Sequence, residues 1–367
     1  MKAVWISPET DNCGISIYAR NYTDALREHA DVSVMDPVSL FSGSFRASDL
    51  LQNADIVHIQ YETAFFIKND HDYFLRIFTK VKKPIIVSLH EVYRDFPGVF
   101  PRSAISGSGL IKGVKRFIYD RKHPLQTAFR KHLGMNFGAD LILVHHQYHK
   151  EILQVDNKNL NIEVLSHPVK VSADLPRFSW TPERPLHFGS TGFINPQYNY
   201  ELLFSFLKQL DTDWRFTWAG GVRSREQQDL LNSIKIKISD NGWNDRFTIT
   251  GWITEEEQTT LLREIDIYLA FFSSRSSSGS LTRAIGALKP VIATRIPLSE
   301  EIAGSELSPV VIVPHEPGAA ADALNRLLSD TLFRKTLLNN VKDYADKNSY
   351  QSMASRMFSI YRKVTGK

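Results

Sequence analysis

The scarcest residue type is the first to constrain the chain. Among 367 residues there is one cysteine, Cys13, which excludes an internal disulfide and a cysteine-based zinc site and suits a reducing compartment. No apolar run approaches the ~20 residues that a membrane-spanning helix needs. The opening MKAVWISPETD lacks the long apolar stretch of a signal peptide, so the expectation is a cytoplasmic protein. Short-period repeats and low-complexity tracts are missing too, and neither a solenoid nor a disordered chain fits. What is present is a globular composition, 43% hydrophobic and 23% charged, on a chain too long for one ordinary core. Two domains of roughly 150–200 residues each are expected.

Charge is nearly balanced overall, with 44 Lys and Arg against 40 Asp and Glu, but it is unevenly placed. Between Arg102 and Lys131 eight basic residues face Asp120 alone, so one segment makes the protein basic. It interleaves cations with Leu110, Ile111, Val114, Phe117, Ile118 and Phe129 at roughly helical spacing. Such a surface suits an anionic membrane or an anionic glycan, and the competing reading is a solvated helix face. No recognition motif for nucleic acid accompanies the charge.

Short Val- and Ile-rich runs recur at 2–6, 32–35, 55–60, 84–89, 140–145 and 162–165, with helical patterns such as 17–29 and 147–153 between them. Strand–helix alternation of this kind predicts a doubly wound α/β sheet. The stretch 167–185 holds four prolines and no periodicity, which reads as a linker. The alternation then restarts, with strands at 186–189, 215–219, 247–250, 267–271, 291–294 and 310–313, and a helical region over 320–365. Two Rossmann-like domains in tandem follow, with ligands expected at the carboxyl ends of the strands.

Several of these segments carry a family likeness. DIVHIQYE (55–62) and PIIVSLHE (84–91) in the first half, and FGSTGFINPQYNYELL (188–203), TWAGG (217–221), TGWI (250–253), IDIYL (265–269) and KPVIAT (289–294) in the second, stand in the family's order, as does the pair Glu300-Glu301. Together they resemble the retaining nucleotide-sugar glycosyltransferases of the GT-B fold, the large glycosyl transferases group 1 family. The resemblance implies an α/β GT-B architecture, two Rossmann-like domains facing across a cleft. Residues 1–168 would form the acceptor side, 169–185 the linker and 186–345 the donor side, with 346–367 a terminal helix packing back on the first domain. It implies transfer of a hexose-type sugar from a nucleotide-sugar donor (UDP- or GDP-linked) to a hydroxyl of a glycan or lipid-linked glycan, with retention, in polysaccharide biosynthesis. No cofactor and no metal would be needed. Peripheral attachment to the inner face of the membrane, through 102–131, goes with that expectation.

Departures from the family are as informative as matches. Its signature is two glutamates separated by seven residues, one for the transferred sugar and one for the donor's ribose. Arg275 and Arg283 stand there, and a guanidinium, which only donates, cannot copy a carboxylate acceptor. The family also places an Arg and a Lys after the Gly192 turn, where this chain has Phe193 and Tyr198. The run Ser277, Ser278, Gly279 and Ser280 opens a predicted helix, so backbone N–H groups and hydroxyls converge where phosphate binds well. Arg275 and Arg283 would then supply the positive charge absent from positions 193 and 198, a relocated diphosphate clamp. The competing readings are a non-catalytic GT-B module that binds glycan or supports a partner enzyme, and a nucleoside-monophosphate sugar as donor.

The resemblance also assigns positions. His90 matches the active-site histidine, and with Arg275 and Arg283 makes the expected catalytic set. Gly14, Gly192, Gly220, Gly221, Ser277, Ser278, Gly279 and Ser280 fall on the donor side, and Tyr61, Glu62 and Glu91 on the acceptor side. His145 and His149, four apart, would suit two metal ligands on a helix, but the segment straddles a predicted strand end and no metal site is expected.

Overall fold

The computed structural model describes residues 1–10, 13–41, 45–68, 71–75, 77, 81–93, 102–172, 178, 180–304 and 308–367. Asn12, in the turn expected before the first helix, and linker positions 173–177 and 179 lie outside the described residues. The chain divides into two compact units, one of Met1–His167 with Tyr350–Lys367 and the other of Pro168–Ser349.

The first unit is built on a parallel sheet of β1 (Lys2–Ile6), β2 (Asp31–Met35), β3 (Ile56–Tyr61), β6 (Ile85–Leu89), β7 (Leu141–Val144) and β8 (Ile162–Val164). Two short strands, β4 (Ile67–Lys68) and β5 (His71–Asp72), pair separately and antiparallel. The spatial order is β2-β1-β3-β6-β7-β8, so the chain reverses its direction of travel across the sheet between β1 and β3. Strands β3, β6 and β7 are buried along their whole length, because helices cover both faces. Successive side chains point to opposite faces. Val57, Ile59 and Tyr61 join a core with Phe66, Phe74, Phe129 and Phe137. Their neighbour Ile56 turns to the other face, where Trp5, Tyr22, Met353, Met357 and Tyr361 pack. The helices Gly14–Leu26 and Tyr350–Thr365 lie on that second face, and the terminal helix is thus part of the first unit's core.

The second unit repeats the plan with β9 (Leu186–Thr191), β10 (Trp214–Ala219), β11 (Phe247–Ile249), β12 (Ile267–Ala270), β13 (Val291–Thr294) and β14 (Val311–Val313). All pair in parallel in the order β11-β10-β9-β12-β13-β14, which puts the reversal between β9 and β12. Several of its helices start on side-chain caps. Asn199 accepts from the Leu202 N–H at 3.0 Å and Ser224 from Gln227 at 3.2 Å, while Thr254 and Glu257 form a reciprocal capping box. The expected linker is anchored to this unit. Val169 pairs with Ser349, and Arg184 grips the buried Asp266 carboxylate through both terminal nitrogens, at 2.8 and 2.6 Å. No helix among the described residues is long and apolar enough to cross a membrane.

Candidate functional site

In open α/β sheets, ligands collect at the carboxyl ends of the strands where the strand order reverses. In the second unit that point is the end of β9 and of β12, and the expected donor residues of this unit gather around it, whereas Gly14 belongs to the first unit. β9 runs out at Thr191 into Gly192, whose φ of +114° carries the chain into a sharp turn. The Gly192 N–H donates to the Ala219 carbonyl at 2.9 Å, and its own carbonyl accepts from the Trp218 indole at 3.0 Å. Two loops are therefore locked face to face. A Cβ at Gly220 would lie 1.8 Å from the Gly192 oxygen, and one at Gly221 would lie 2.6 Å from the Trp252 indole nitrogen. Glycine is required at both by close approach of neighbouring atoms.

The loop after β12 completes the corner. Ser278 caps the helix Gly279–Gly286, accepting from the Leu281 N–H at 3.2 Å, and its hydroxyl lies 3.0 Å from that of Ser280. Ser280 faces the Gly192 turn, 3.7 Å from where a Cβ would stand. Gly192, Gly220, Gly221, Ser278 and Ser280 are thus one constellation, with Gly279 in the helix's first turn and Ser277 just before the cap. Gly279 has open space around its missing Cβ. Gly14, at the start of the first unit's helix, has the same open space.

Arg275 and Arg283 flank this corner without meeting each other's partners. Arg275 donates through Nη1 to the Gln197 side-chain oxygen at 2.7 Å and stands 5.8 Å over the Phe272 ring, while its buried Nε has no hydrogen-bond partner among the described residues. Arg283 donates to the Gln258 side-chain oxygen on the helix Glu255–Glu264. Neither arginine forms an ion pair with a carboxylate among the described residues, and a neutral amide leaves a guanidinium's charge uncompensated. A cavity of about 450 Å³, bordered by Thr250, Trp252, Ile253, Glu257 and Leu261, opens along the Gln258 helix.

In the first unit the reversal lies between β1 and β3, and His90 and Glu91 follow β6 nearby. His90 is buried against Tyr18, with ring centres 4.8 Å apart, and shares a hydrogen bond with the Gln60 side-chain oxygen at 2.9 Å. That oxygen can only accept, so the His90 Nε2 carries the proton. Burial first, and then the charge of His167, hold the His90 imidazole down to about 3. It is a neutral hydrogen-bonding group at physiological pH and not a proton donor in the imidazolium form. His145, on the same face, gives its Nδ1 proton to the Leu165 carbonyl at 3.1 Å, and its buried Nε2 lone pair has no partner among the described residues. Glu62 caps the short helix Thr63–Phe66, and burial, followed by the charge of Glu91, pushes its carboxyl up to about 7.

Tyr61 is placed apart from His90. The alternation along β3 turns Gln60 toward His90 and sends Tyr61 to the opposite face, where its hydroxyl meets His132 Nδ1 at 2.7 Å and Thr63 at 3.1 Å. His132 in turn lies 3.0 Å from Asp72, so Tyr61 closes a buried Tyr–His–Asp chain in the core. The histidines that invited a metal reading belong to different elements. β7 ends at Val144, His145 packs against Tyr18 of the helix Gly14–Leu26, and His149 belongs to the following helix. No group of three metal-ligating side chains occurs among the described residues.

The fold is shared with known proteins. Residues 186–330 match the family model described as Glycosyl transferases group 1. Over the whole chain the structure is similar to HepE of Anabaena, solved with UDP, with UDP and glucose, and with UDP-glucose. For the UDP complex the identity is 14%, 99% of this chain and 100% of that chain are covered, and the TM-score is 0.70. The sucrose-phosphate synthase of Thermosynechococcus elongatus is 14% identical over 100% of this chain and 99% of that one, with a TM-score of 0.72. The lipopolysaccharide outer core galactosyltransferase WaaB is 13% identical over 99% and 100%, with a TM-score of 0.59. A search of curated protein sequences gives no match. This chain has the GT-B fold.

One part of this GT-B chain escaped the sequence. Position 193, where the family carries a cation, is Phe, yet Arg223 from the next loop lays its guanidinium 3.6 Å over the Phe193 ring and 5.7 Å from Trp252. A cation is present beside position 193 after all, brought from thirty residues downstream by the Gly192–Gly220 contact. Its only linear signal is a place two residues after the Gly220-Gly221 pair. Tyr198 is different. It is buried, its hydroxyl is bound to Ser190 and the Leu269 carbonyl, and it serves the core of the turn.

Proposed function

We propose that this chain moves a sugar from a nucleoside-diphosphate donor to a hydroxyl of a glycan or lipid-linked glycan. The carrying observation is the corner at the reversal of the second sheet, where the Gly192 turn, the Ser278–Ser280 helix start, Arg275 and Arg283 on neutral amides, and Arg223 over the Phe193 ring gather within the matched family region. Relatives of this fold solved with UDP and UDP-glucose support a nucleotide sugar as donor. In the reaction the bond between the anomeric carbon and the diphosphate oxygen breaks and the acceptor oxygen takes its place. With retention, the departing diphosphate oxygen receives the acceptor's proton on the same face of the sugar. The protein supplies position and positive charge for the growing negative charge of the diphosphate, and Arg275, Arg283 and the helix start at Ser278 are suited to that. His90, held neutral, offers the transferred sugar a hydrogen bond, and Glu62 and Glu91 border the acceptor side. No cofactor or metal enters this reading, because the cations are side chains.

A thermal-shift panel of nucleotides and nucleotide sugars tests it directly. Binding of UDP or GDP is expected, and Arg275→Ala or Arg283→Ala is expected to weaken it ~10- to 100-fold, the worth of one or two charge-assisted hydrogen bonds. Unchanged affinity in both variants would sink the arginine clamp. The arginines standing at both signature glutamate positions favour a second reading, a module that binds glycan or supports a partner without catalysis. Slow donor hydrolysis without acceptor, released as free nucleotide, separates the two, since only an enzyme produces it.

A further inference from the structure

The helix Gly109–Lys122 is mounted with its polar side inward. A helix on a globular domain ordinarily turns its apolar stripe to the core and its charges to water. Here no residue of the helix is buried, and Leu110 and Phe117, one stripe of the wheel, are 87% and 62% exposed. Ile111, Val114 and Ile118 are exposed beside them. The better-covered residues are Lys112, Arg116, Tyr119 and Asp120, all on the opposite side. Asp120 holds the helix in place, taking Arg102 in a two-point pair at 2.8 and 2.9 Å and Arg130 at 2.8 Å. The Nε of Arg116 is even buried without a partner among the described residues. Six of the thirteen large apolar side chains that stand exposed among the described residues fall within 110–125.

Charge points to what covers this face. Lys115 and Lys122 border the apolar stripe, and Arg121 lies within it, its guanidinium 5.5 Å from the Phe117 ring. The helix's single acid is already spent on two arginines. A cavity of about 310 Å³ opens along the same flank, between Ile105, Ile118, Tyr119, Lys115, Lys122 and His123, with cations around an apolar wall. An apolar stripe edged by cations matches the boundary between lipid tails and anionic headgroups, where the stripe sinks into the acyl region and the lysines meet phosphate.

We infer that the helix Gly109–Lys122 docks this protein on a bilayer surface rich in anionic lipid, with Leu110, Val114 and Phe117 inserted and Lys115, Arg121 and Lys122 on the headgroups. This is independent of the transfer chemistry, since the helix belongs to the first unit and the arginine corner to the second.

Vesicle flotation of the full chain tests it. Phosphatidylcholine vesicles containing phosphatidylglycerol are expected to carry the protein up, with partition falling steeply as salt is raised. Pure phosphatidylcholine vesicles should bind at least about tenfold less. A Leu110→Ser, Phe117→Ser double variant and a Lys115→Glu, Lys122→Glu double variant should each lose at least about tenfold in partition. Their thermal midpoints should stay at the wild-type value, because these side chains lie outside the core. Equal flotation with neutral and anionic vesicles, or none with either, overturns the inference. So does a dimer in sedimentation that the serine variant splits, which would make a second copy the occupant. Nucleotide binding, followed in parallel by thermal shift, reports on the proposed transfer activity separately.

Discussion

At the scale of single residues, the contacts that matter are those that bring distant backbone together. Gly220 is the clearest case. Its φ of +157° and the 1.8 Å that would separate a Cβ from the Gly192 oxygen leave no room for any side chain. Gly220→Ala is expected to cost at least about 3 kcal/mol and to abolish nucleotide binding, because the turn and its partner loop must part. Urea unfolding and the thermal-shift panel read both effects, and a wild-type midpoint would show that the loops yield. Arg275 and Arg283 show how far a single residue is legible. The sequence reveals a cation where a carboxylate is expected, but not that each is held by a glutamine amide and so keeps its charge for another partner. Arg223 shows the opposite limit, since its place two residues after the Gly220-Gly221 pair does not reveal a role until the Phe193 ring is placed beneath it.

At the scale of elements, the terminal helix Tyr350–Thr365 carries more than its position suggests. Met353, Met357 and Tyr361 are wholly buried on the face of the first sheet that carries Trp5, beside Tyr22 of the helix Gly14–Leu26. Tyr361 is also a hydrogen-bond relay. It accepts from the Trp5 indole at 2.8 Å and donates to His58 Nδ1 at 2.7 Å, which leaves the single His58 proton on Nε2 to donate to the Ser88 hydroxyl at 2.7 Å. Tyr361→Phe keeps the packing and strands two buried polar groups, so a loss of about 2–3 kcal/mol in unfolding free energy is expected. Removing 350–367 takes away three large side chains worth about 2 kcal/mol each, comparable to a domain's whole stability. The expected outcome is a first unit that fails to fold, seen as insoluble protein, and a soluble, cooperatively unfolding truncation would refute it. The amphipathic pattern of 350–365 is legible in sequence. Which sheet it covers is not, because an apolar stripe is complementary to any apolar face.

For the molecule as a whole, buried histidines set the response to pH. Burial, helped by the charge of a neighbouring histidine, holds His58 and His90 down to about 3. His187 is held down to about 4, by burial first and then by Arg215. Each is neutral in the folded chain, whereas the unfolded chain takes up a proton near 6.5. Their contribution is therefore intact above pH 6.5 and lost progressively as pH falls toward 3, up to about 2 kcal/mol apiece by pH 5. Glu62 works the other way, since a folded value of about 7 favours the native state as acid is added between pH 7 and 4.5. One group against three leaves a net loss. Urea midpoints should fall from pH 6.5 to 5, and a flat profile over that range would contradict the buried neutral assignment.

Local pattern alone specifies the two α/β sheets, their strands to within a residue or two, and the fold class. Parallel strands covered on both faces must be short continuous apolar runs, and that signature is local. It also carried the glycines and serines of the second unit's corner, since close backbone approach and helix capping each demand particular residue types. Tertiary packing settled the rest. It set Gln60 toward His90 and Tyr61 away from it, brought Arg223 over Phe193, and turned the apolar stripe of 109–122 outward. Each of these depends on which way a side chain faces and on what stands opposite. Periodicity records that an element has two sides, and packing alone chooses which of them meets the core.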